Sequence, residues 1–278
     1  MSYSSSITPK TSLFDLRLKE VWQYRDLLLI FVHRDFVTVY KQTVLGPLWF
    51  FIQPFLTTIV FTVIFGSIAK IPTDGLPPML FYLAGVTSWN YFAECFRKTS
   101  NTFTANAGIF GKVFFPRVVT PLSITISNLI LFAIQFLLFL LIMGYFMLKG
   151  ANVHPNLYIL LLPWLIVLMG IMGLGFGMLV SAMTTKYRDL QFLIQFGIQL
   201  LMYATPVIYP ISSIPAKYQW ILVANPMTSI IETFRYSFLG AGSFNWNGLL
   251  YSTLFTFFIF FLGLIVFNRT EKNFMDTV

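Results

Sequence analysis

The stretch from Tyr203 to Leu239 is apolar, but it cannot form one membrane-spanning helix because prolines interrupt it. The prolines are Pro206, Pro210, Pro215 and Pro226. Proline removes a backbone donor and disfavours helix at the residue before it, whereas a continuous span needs about 20 helical residues. The stretch therefore predicts short helices. They either dip into the outer half of the bilayer against other helices and return, or lie flat at the interface as a loop.

The composition of the chain is that of a polytopic membrane protein. Hydrophobic residues make up 57% of the 278 positions, charged residues make up 10%, and the mean hydropathy is +0.76. The single cysteine, Cys95, cannot form an internal disulfide, and His33 and His154 lie far apart, so we expect no metal or redox site. The net charge of +8 does not indicate nucleic acid, because the basic residues stand at the ends of apolar runs.

Six apolar stretches, each delimited by charged residues, are long enough for helical spans, although the second barely reaches the required length. They lie between Lys41 and Lys70, Asp74 and Glu94, Arg117 and Lys149, Lys149 and Lys186, after Asp189, and between Arg235 and Arg269. We therefore expect an all-α polytopic membrane protein with six transmembrane helices over 41–278. Re-entrant helices over 203–239 are expected on the outward side, between spans five and six.

A charged, amphipathic stretch, 13–40, precedes the first expected span. Its apolar residues recur every three or four positions, and its basic side chains suit the anionic cytoplasmic leaflet. The pattern predicts one or two helices at the membrane interface, although a soluble helix docked on a partner has the same pattern. Residues 1–12 are expected to form a flexible extension.

The distribution of lysine and arginine predicts that both termini are cytoplasmic. With the N-terminus inside, fourteen of these residues lie on the cytoplasmic side and four, Lys70, Lys149, Lys217 and Arg235, lie outside. Lysine and arginine concentrate in the cytoplasmic loops of membrane proteins. In this orientation the proline-interrupted stretch faces outward.

The cytoplasmic loop 97–117 carries a Gly111-Lys112 pair but not a nucleotide-binding P-loop. That motif requires a glycine where Asn106 stands and a serine or threonine where Val113 stands. The loop can instead form a short amphipathic helix on the cytoplasmic face. Together with the polar turn 184–189, it suggests docking to a separate soluble partner. The simpler alternative is that both segments are connecting loops.

Ionisable residues are absent from the middle of the apolar stretches, which disfavours an ion-coupled carrier. Glu232 and Arg235 are three apart on a predicted helix, so they form either a structural ion pair or the outward mouth of a pathway. The sequence offers no acid/base cluster or activated nucleophile, so we expect no enzymatic activity. Gly173 and Gly177 form a GxxxG pair, which predicts a close contact between helices.

Seven segments together resemble one family. They are YKQTVLGPLWFFIQP (40–54), FYLAGVTSWNYF (81–92), GKVFFPRVVTPL (111–122), TTKYRDL (184–190), TPVIYP (205–210), ANPMTSIIETFRYSFLG (224–240) and FNRTEKNFMDTV (267–278). In this order they resemble the permease subunits of type-2 ABC exporters, in the branch that exports O-antigen, capsule and teichoic-acid chains. The resemblance covers the chain from about residue 13 onward and assigns no role to residues 1–12.

The resemblance implies roles for individual residues. The turn Leu45-Gly46-Pro47 is expected to belong to a cytoplasmic gate. The candidates for coupling to an ATPase subunit are Lys98, Phe103, Ile109, Phe110 and Lys112. The aromatic candidates for the channel wall are Trp49, Phe50, Trp89, Tyr91, Tyr203 and Tyr209.

The resemblance also implies an assembly of two copies of this chain with two ATPase subunits, which bind ATP and Mg, and no cofactor on this chain. The expected substrate is a polysaccharide on a lipid carrier, and the expected location is the bacterial cytoplasmic membrane. Three alternatives remain at this point: a stand-alone secondary carrier or channel, an ABC permease for small lipids or drugs, and a membrane enzyme of lipid-linked glycan assembly.

Overall fold

A computed structural model describes residues 18–41, 43–185, 187 and 189–274. Within these ranges the backbone forms helices and connecting loops without a β-strand, which confirms the predicted all-α class. The α-helices are α1 (Leu18–Gln23), α2 (Arg25–Tyr40), α3 (Trp49–Phe61), α4 (Pro78–Thr99), α5 (Thr102–Phe110), α6 (Val119–Leu148), α7 (Leu162–Thr184), α8 (Leu190–Tyr203), α9 (Ala216–Ala224), α10 (Pro226–Leu239) and α11 (Trp246–Phe274). The extension predicted over 1–12 lies outside the described residues.

Four helical segments of the described chain are long and apolar enough to cross a membrane. They are Gly46–Ile68, Val119–Leu148, Leu157–Thr184 and Trp246–Glu271. These four correspond to the first, third, fourth and sixth of the expected spans. The segment Gly46–Ile68 comprises a 3-10 turn, α3 and a final π-helical turn, Thr62–Ile68. The two other expected spans correspond to α4 and α8, which lack either the apolar composition or the length of a simple span.

Helix α4 lies at the centre of the fold, and this position explains its mixed composition. It packs against α3, α6, α7, α8 and α10. Side chains on opposite faces of α4, such as Tyr82, Ala84 and Cys95, are fully buried, and so are the polar residues Thr87 and Ser88. A helix that contacts protein on most sides does not need the apolar surface of a lipid-facing helix.

The glycines of α7 allow close packing on two sides. A Cβ atom added to Gly173 would lie 2.7 Å from the carbonyl oxygen of Phe92 on α4, and Gly177 lies against Thr99 of the same helix. A Cβ atom added to Gly175 would lie 2.9 Å from the Cα of Phe260 on α11. The close helix contact that the GxxxG pair predicts is therefore confirmed, and α7 is held between α4 and α11.

The proline-interrupted stretch forms separate short helices, as predicted. Pro206 lies in the turn after α8, Pro215 precedes α9, and Pro226 is the first residue of α10. The side chain of Asn225 accepts a hydrogen bond from the backbone N–H of Met227 at 3.0 Å and so caps α10.

The described part of the N-terminal stretch forms two helices, α1 and α2. Phe31 of α2 packs edge-on against Phe115, with ring centroids 5.6 Å apart. Leu29 and Ile30, on the other side of α2, are exposed. Helix α2 therefore has one side against the bundle and an exposed side that carries apolar residues, which is compatible with an interfacial position.

Candidate functional site

The most unusual electrostatic feature is the burial of Arg235 on α10. Only 1% of this residue is exposed. Its Nη2 donates a hydrogen bond to the carbonyl oxygen of Val207 at 2.6 Å, and its Nη1 donates to the carbonyl oxygen of Pro206. The turn after α8 has lost helical hydrogen bonding at these carbonyls. Arg235 therefore satisfies backbone acceptors that the prolines and the turn leave open.

Arg235 is also paired with Glu232, one helical turn earlier. The Nη1 of Arg235 lies 3.2 Å from Oε1 of Glu232, and the other carboxylate oxygen accepts a hydrogen bond from the backbone N–H of Ser243 at 3.2 Å. The predicted pairing is confirmed. Both side chains are buried, so the single chain gives no support to a role in lining an outward mouth. They connect α10 to the turn after α8 and to the loop that follows α10.

Gly85 of α4 makes room for this arrangement. A Cβ atom at Gly85 would lie 2.6 Å from Nη2 of Arg235 and 2.8 Å from the carbonyl oxygen of Val207. Either contact is too close for a real methyl group, so α4 approaches the turn after α8 only because position 85 lacks a side chain.

The expected gate turn, Leu45-Gly46-Pro47, joins α2 to α3 and is largely exposed. Gly46 has a φ of +52°, a left-handed conformation that favours glycine. Leu45 and the neighbouring Leu48 expose 39% and 57% of their surfaces. The turn thus offers apolar side chains at the start of a span. A role in gating stays a prediction.

The aromatic candidates for the channel wall divide into two groups. Trp49 and Tyr203 are exposed, and Tyr209 is half-buried with its hydroxyl donating to the carbonyl oxygen of Tyr203 at 2.9 Å. Phe50, Trp89 and Tyr91 are buried inside the chain. The fold of a single chain therefore does not support the buried three as wall residues, whereas Trp49 and Tyr203 remain available to contact a substrate.

Two of the coupling candidates on α5 are anchors rather than surface residues. Phe103 is fully buried and stacks on Phe267 of α11, with ring centroids 4.5 Å apart. Phe110 is buried beside Phe103 and lies 5.3 Å under the guanidinium of Arg117. Burial lowers the pKa of the Arg117 guanidinium below its ordinary value, and the nearby Glu271 offsets only part of this shift. These contacts attach α5 to α11, so Phe103 and Phe110 do not form a docking surface themselves.

Other coupling candidates differ in exposure. Lys98 points toward α6, where its Nζ donates to Oδ1 of Asn128 at 2.9 Å, and Ile109 is half-buried. Lys112 is exposed, and it is followed by Val113 and Phe114, of which Phe114 exposes 80% of its surface. We call Lys112, Val113 and Phe114 the α5–α6 surface. Phe114 was not singled out from the sequence, because adjacent phenylalanines do not reveal which one faces outward.

Three glutamines on α8 were also missed. Gln191, Gln195 and Gln199 recur every fourth residue on an otherwise apolar helix. Gln195 and Gln199 are exposed, and Gln191 donates to the hydroxyl of Thr104 on α5 at 3.1 Å. Their spacing alone was the signal, because residues four apart share one side of a helix. We call these three residues the glutamine stripe.

Comparison with known proteins gives consistent matches along the chain. A family model described as ABC-2 type transporter matches residues 26–239. The chain is 30% identical over 254 residues to an O-antigen export system permease protein, RfbA, of Klebsiella pneumoniae, covering 90% of this chain and 94% of the relative. It is also 22% identical over 241 residues to the polysialic acid transport protein KpsM of Escherichia coli, covering 86% of this chain and 91% of the relative.

Proposed function

Because the chain belongs to the ABC-2 type transporter family, we propose that it is the membrane-spanning subunit of an ATP-driven exporter for lipid-linked polysaccharide of the O-antigen or capsule type. The observation that carries this proposal is the similarity to an O-antigen export permease and a polysialic acid transport protein over 86–90% of this chain. Transport then occurs across the bacterial cytoplasmic membrane. The chain moves its substrate without making or breaking a covalent bond.

The ATPase is a separate subunit in this proposal, and ATP and Mg bind there. Its docking site on this chain is the α5–α6 surface, since Phe114 and Val113 expose 80% and 56% of their surfaces beside the charged Lys112. Exposed apolar residues with a charged neighbour are typical of a contact with another protein. The turn around 184–189 is a second candidate contact.

Movement at α5 can reach the membrane-spanning helices through its anchors. Phe103 stacks on Phe267 of α11, and its backbone N–H donates to the hydroxyl of Ser181 on α7 at 3.4 Å. A displacement of α5 by the ATPase therefore acts on α7 and α11 together. ATP binding shifts the population of the transporter between states in this mechanism, because the ATPase dimer contacts α5 differently when it closes.

The membrane topology that we propose has six spans, with α4 and α8 added to the four long apolar segments. Central burial allows α4 to cross despite its polar residues, while α8 depends on the helices beside it because its 14 residues extend only about 21 Å. Helix α9 and the beginning of α10 form the re-entrant segment. The excess of lysine and arginine on one side supports cytoplasmic termini.

The transport path lies between two copies of the chain in this proposal. Helix α8 has only one buried residue, Ile198, and is followed by the irregular turn 204–210. Irregular backbone at membrane depth needs protein or water beside it rather than lipid. The exposed side of α8 therefore faces a second copy and a water-filled path in this proposal, rather than lipid. The exposed Trp49 at the start of α3 is assigned to the same path.

Deletion of the gene in its host tests the proposed function. We expect loss of a polysaccharide from the cell surface and accumulation of the same polymer, still attached to its lipid, on the cytoplasmic side. Re-expression of the wild-type chain should restore export, whereas the Phe114→Glu variant should not restore it. Normal surface polysaccharide in the deletion strain would contradict the proposal.

A further inference from the structure

The glutamine stripe runs along one side of α8 from the cytoplasmic helix α5 toward the turn that contains Tyr209. Successive glutamines are four residues apart, which corresponds to a rise of about 6 Å and a rotation of about 40° per step. Tyr203 stands at the next position of the same series. The stripe and Tyr203 thus form a row of hydrogen-bonding side chains that winds about 120° around a helix that is otherwise apolar.

Two members of the stripe, Gln195 and Gln199, have no hydrogen-bond partner in the part of the chain that the structure describes. Gln195 and Gln199 are exposed and make no side-chain hydrogen bond there, whereas Gln191 is connected to Thr104 on α5. Phe192 and Phe196 are exposed on the same side of α8 as the glutamines, whereas the exposed Leu193 lies about 160° around the helix from Gln195. The exposed amides therefore share their side of α8 with two aromatic rings, and the opposite side, which carries Leu193, has no amide.

A primary amide has two N–H donors and a carbonyl acceptor, all of which need partners. In hydrocarbon these groups would be unsatisfied, which is unfavourable, so the glutamines must face water or another polar surface. The opposite side of α8, with the exposed Leu193 and Leu200, has no such requirement. The difference between the two sides indicates which one borders a water-filled path.

We propose that Gln195 and Gln199 line the translocation path and exchange hydrogen bonds with hydroxyl groups of a polysaccharide; this inference rests on the proposed function. An amide both donates to and accepts from hydroxyl groups, so it contacts sugars of different linkage without selecting one. Because the side chains are uncharged and recur at each turn of the helix, a passing polymer meets equivalent contacts in succession. Tyr203 continues the series at the outer end of α8.

Leucine at both positions tests the hydrogen bonds, since it has a similar size but no polar group. We expect the double variant Gln195→Leu, Gln199→Leu to export polysaccharide about fivefold more slowly or worse, with unchanged assembly and ATPase binding. The conservative variant Gln195→Asn, Gln199→Asn should recover part of the rate. As a matched control, Leu193→Ala should export at the wild-type rate.

Accessibility to water provides a second measurement, because the chain has one cysteine, Cys95, which is fully buried. In a Cys95→Ala background, Gln195→Cys and Gln199→Cys should react with a small water-soluble thiol reagent and lose export on reaction. Leu193→Cys should stay unmodified.

Three results would overturn the inference. Normal export by the leucine variant would show that the amides do not contact the substrate. Dissociation of two copies in that variant would assign the stripe to subunit contact, and unreactive cysteines at both positions would place it away from water. Failure of the wild-type chain to export any polysaccharide would instead contradict the proposed function.

Discussion

The guanidinium carbon of Arg235 lies 3.7 Å from the centroid of the Phe81 ring, so the charge of α10 rests directly against α4. The same guanidinium is hydrogen-bonded to the backbone after α8 and paired with Glu232. One side chain therefore connects the central helix, the irregular turn and α10. The cost of burying this charge is offset by several partners at once, which makes the arrangement sensitive to the loss of any one of them.

Replacement of Arg235 by alanine should strongly destabilise the protein. Removing one partner of a buried ion pair leaves the other charge uncompensated, which typically costs about 3–5 kcal/mol. Thermal unfolding in detergent, followed by tryptophan fluorescence, measures the effect. Arg97 provides a matched control, because it pairs with Glu94 at the same three-residue spacing, but its side chain exposes 41% of its surface. Arg97→Ala should cost less than about 1 kcal/mol; equal losses in the two variants would contradict this account.

Substitution of Gly85 by alanine should also destabilise the fold, because the new methyl group would collide with Arg235 and with the carbonyl oxygen of Val207. Gly144 in α6 is the appropriate comparison, since a Cβ atom there would have no atom within 4 Å. Gly144→Ala should instead stabilise the helix by about 0.5–1 kcal/mol. Unfolding temperatures that fall by the same amount for both variants would argue against the close approach of α4 to the turn.

Phe103→Ala should lower the stability of the chain, whereas Phe114→Ala should weaken binding of the ATPase. Phe103 is fully buried, so its truncation should cost about 3–5 kcal/mol and lower the yield of folded protein. Phe114→Ala should leave the unfolding temperature unchanged but reduce the amount of ATPase that co-purifies from native membranes. Undiminished co-purification with Phe114→Ala would remove the α5–α6 surface as the docking site.

Labelling of introduced cysteines should report the orientation of the chain. In a Cys95→Ala background, Lys149→Cys should react with a membrane-impermeant reagent in intact spheroplasts, because it follows the outward end of α6. Lys112→Cys should react only after the membrane is opened. The reverse pattern would contradict the cytoplasmic placement of the termini.

The sequence predicts the parts of the fold that depend on local composition. The long apolar segments that contain α3, α6, α7 and α11 follow from runs of hydrophobic residues, and the breaks after Tyr203 follow from proline. Helix α4 gives a weaker sequence signal, because a helix enclosed by protein does not carry the apolar surface of a lipid-facing one.

The orientation of side chains in the candidate site was less accessible from the sequence. Phe103 was expected to couple to a partner, but it faces Phe267, a contact between residues far apart in the chain. Trp89 lies in a matching segment of the family, yet the packing of other helices around α4 buries it. The spacing of Glu232 and Arg235 predicted their pairing, whereas their burial depends on the distant Phe81 and Val207. Burial of this kind arises from tertiary contacts, which a single sequence does not display.

The most direct test of the central claim is transport by the complex in a defined membrane. The chain would be purified from its host together with the ATPase that accompanies it and reconstituted into vesicles that carry the host's lipid-linked polysaccharide. We predict that the polymer appears on the opposite side of the membrane only when ATP and Mg are present on the ATPase side, and that Phe114→Ala reduces this transfer. Transfer that proceeds at the same rate without ATP, or a purified chain that transports with no ATPase present, would contradict the account.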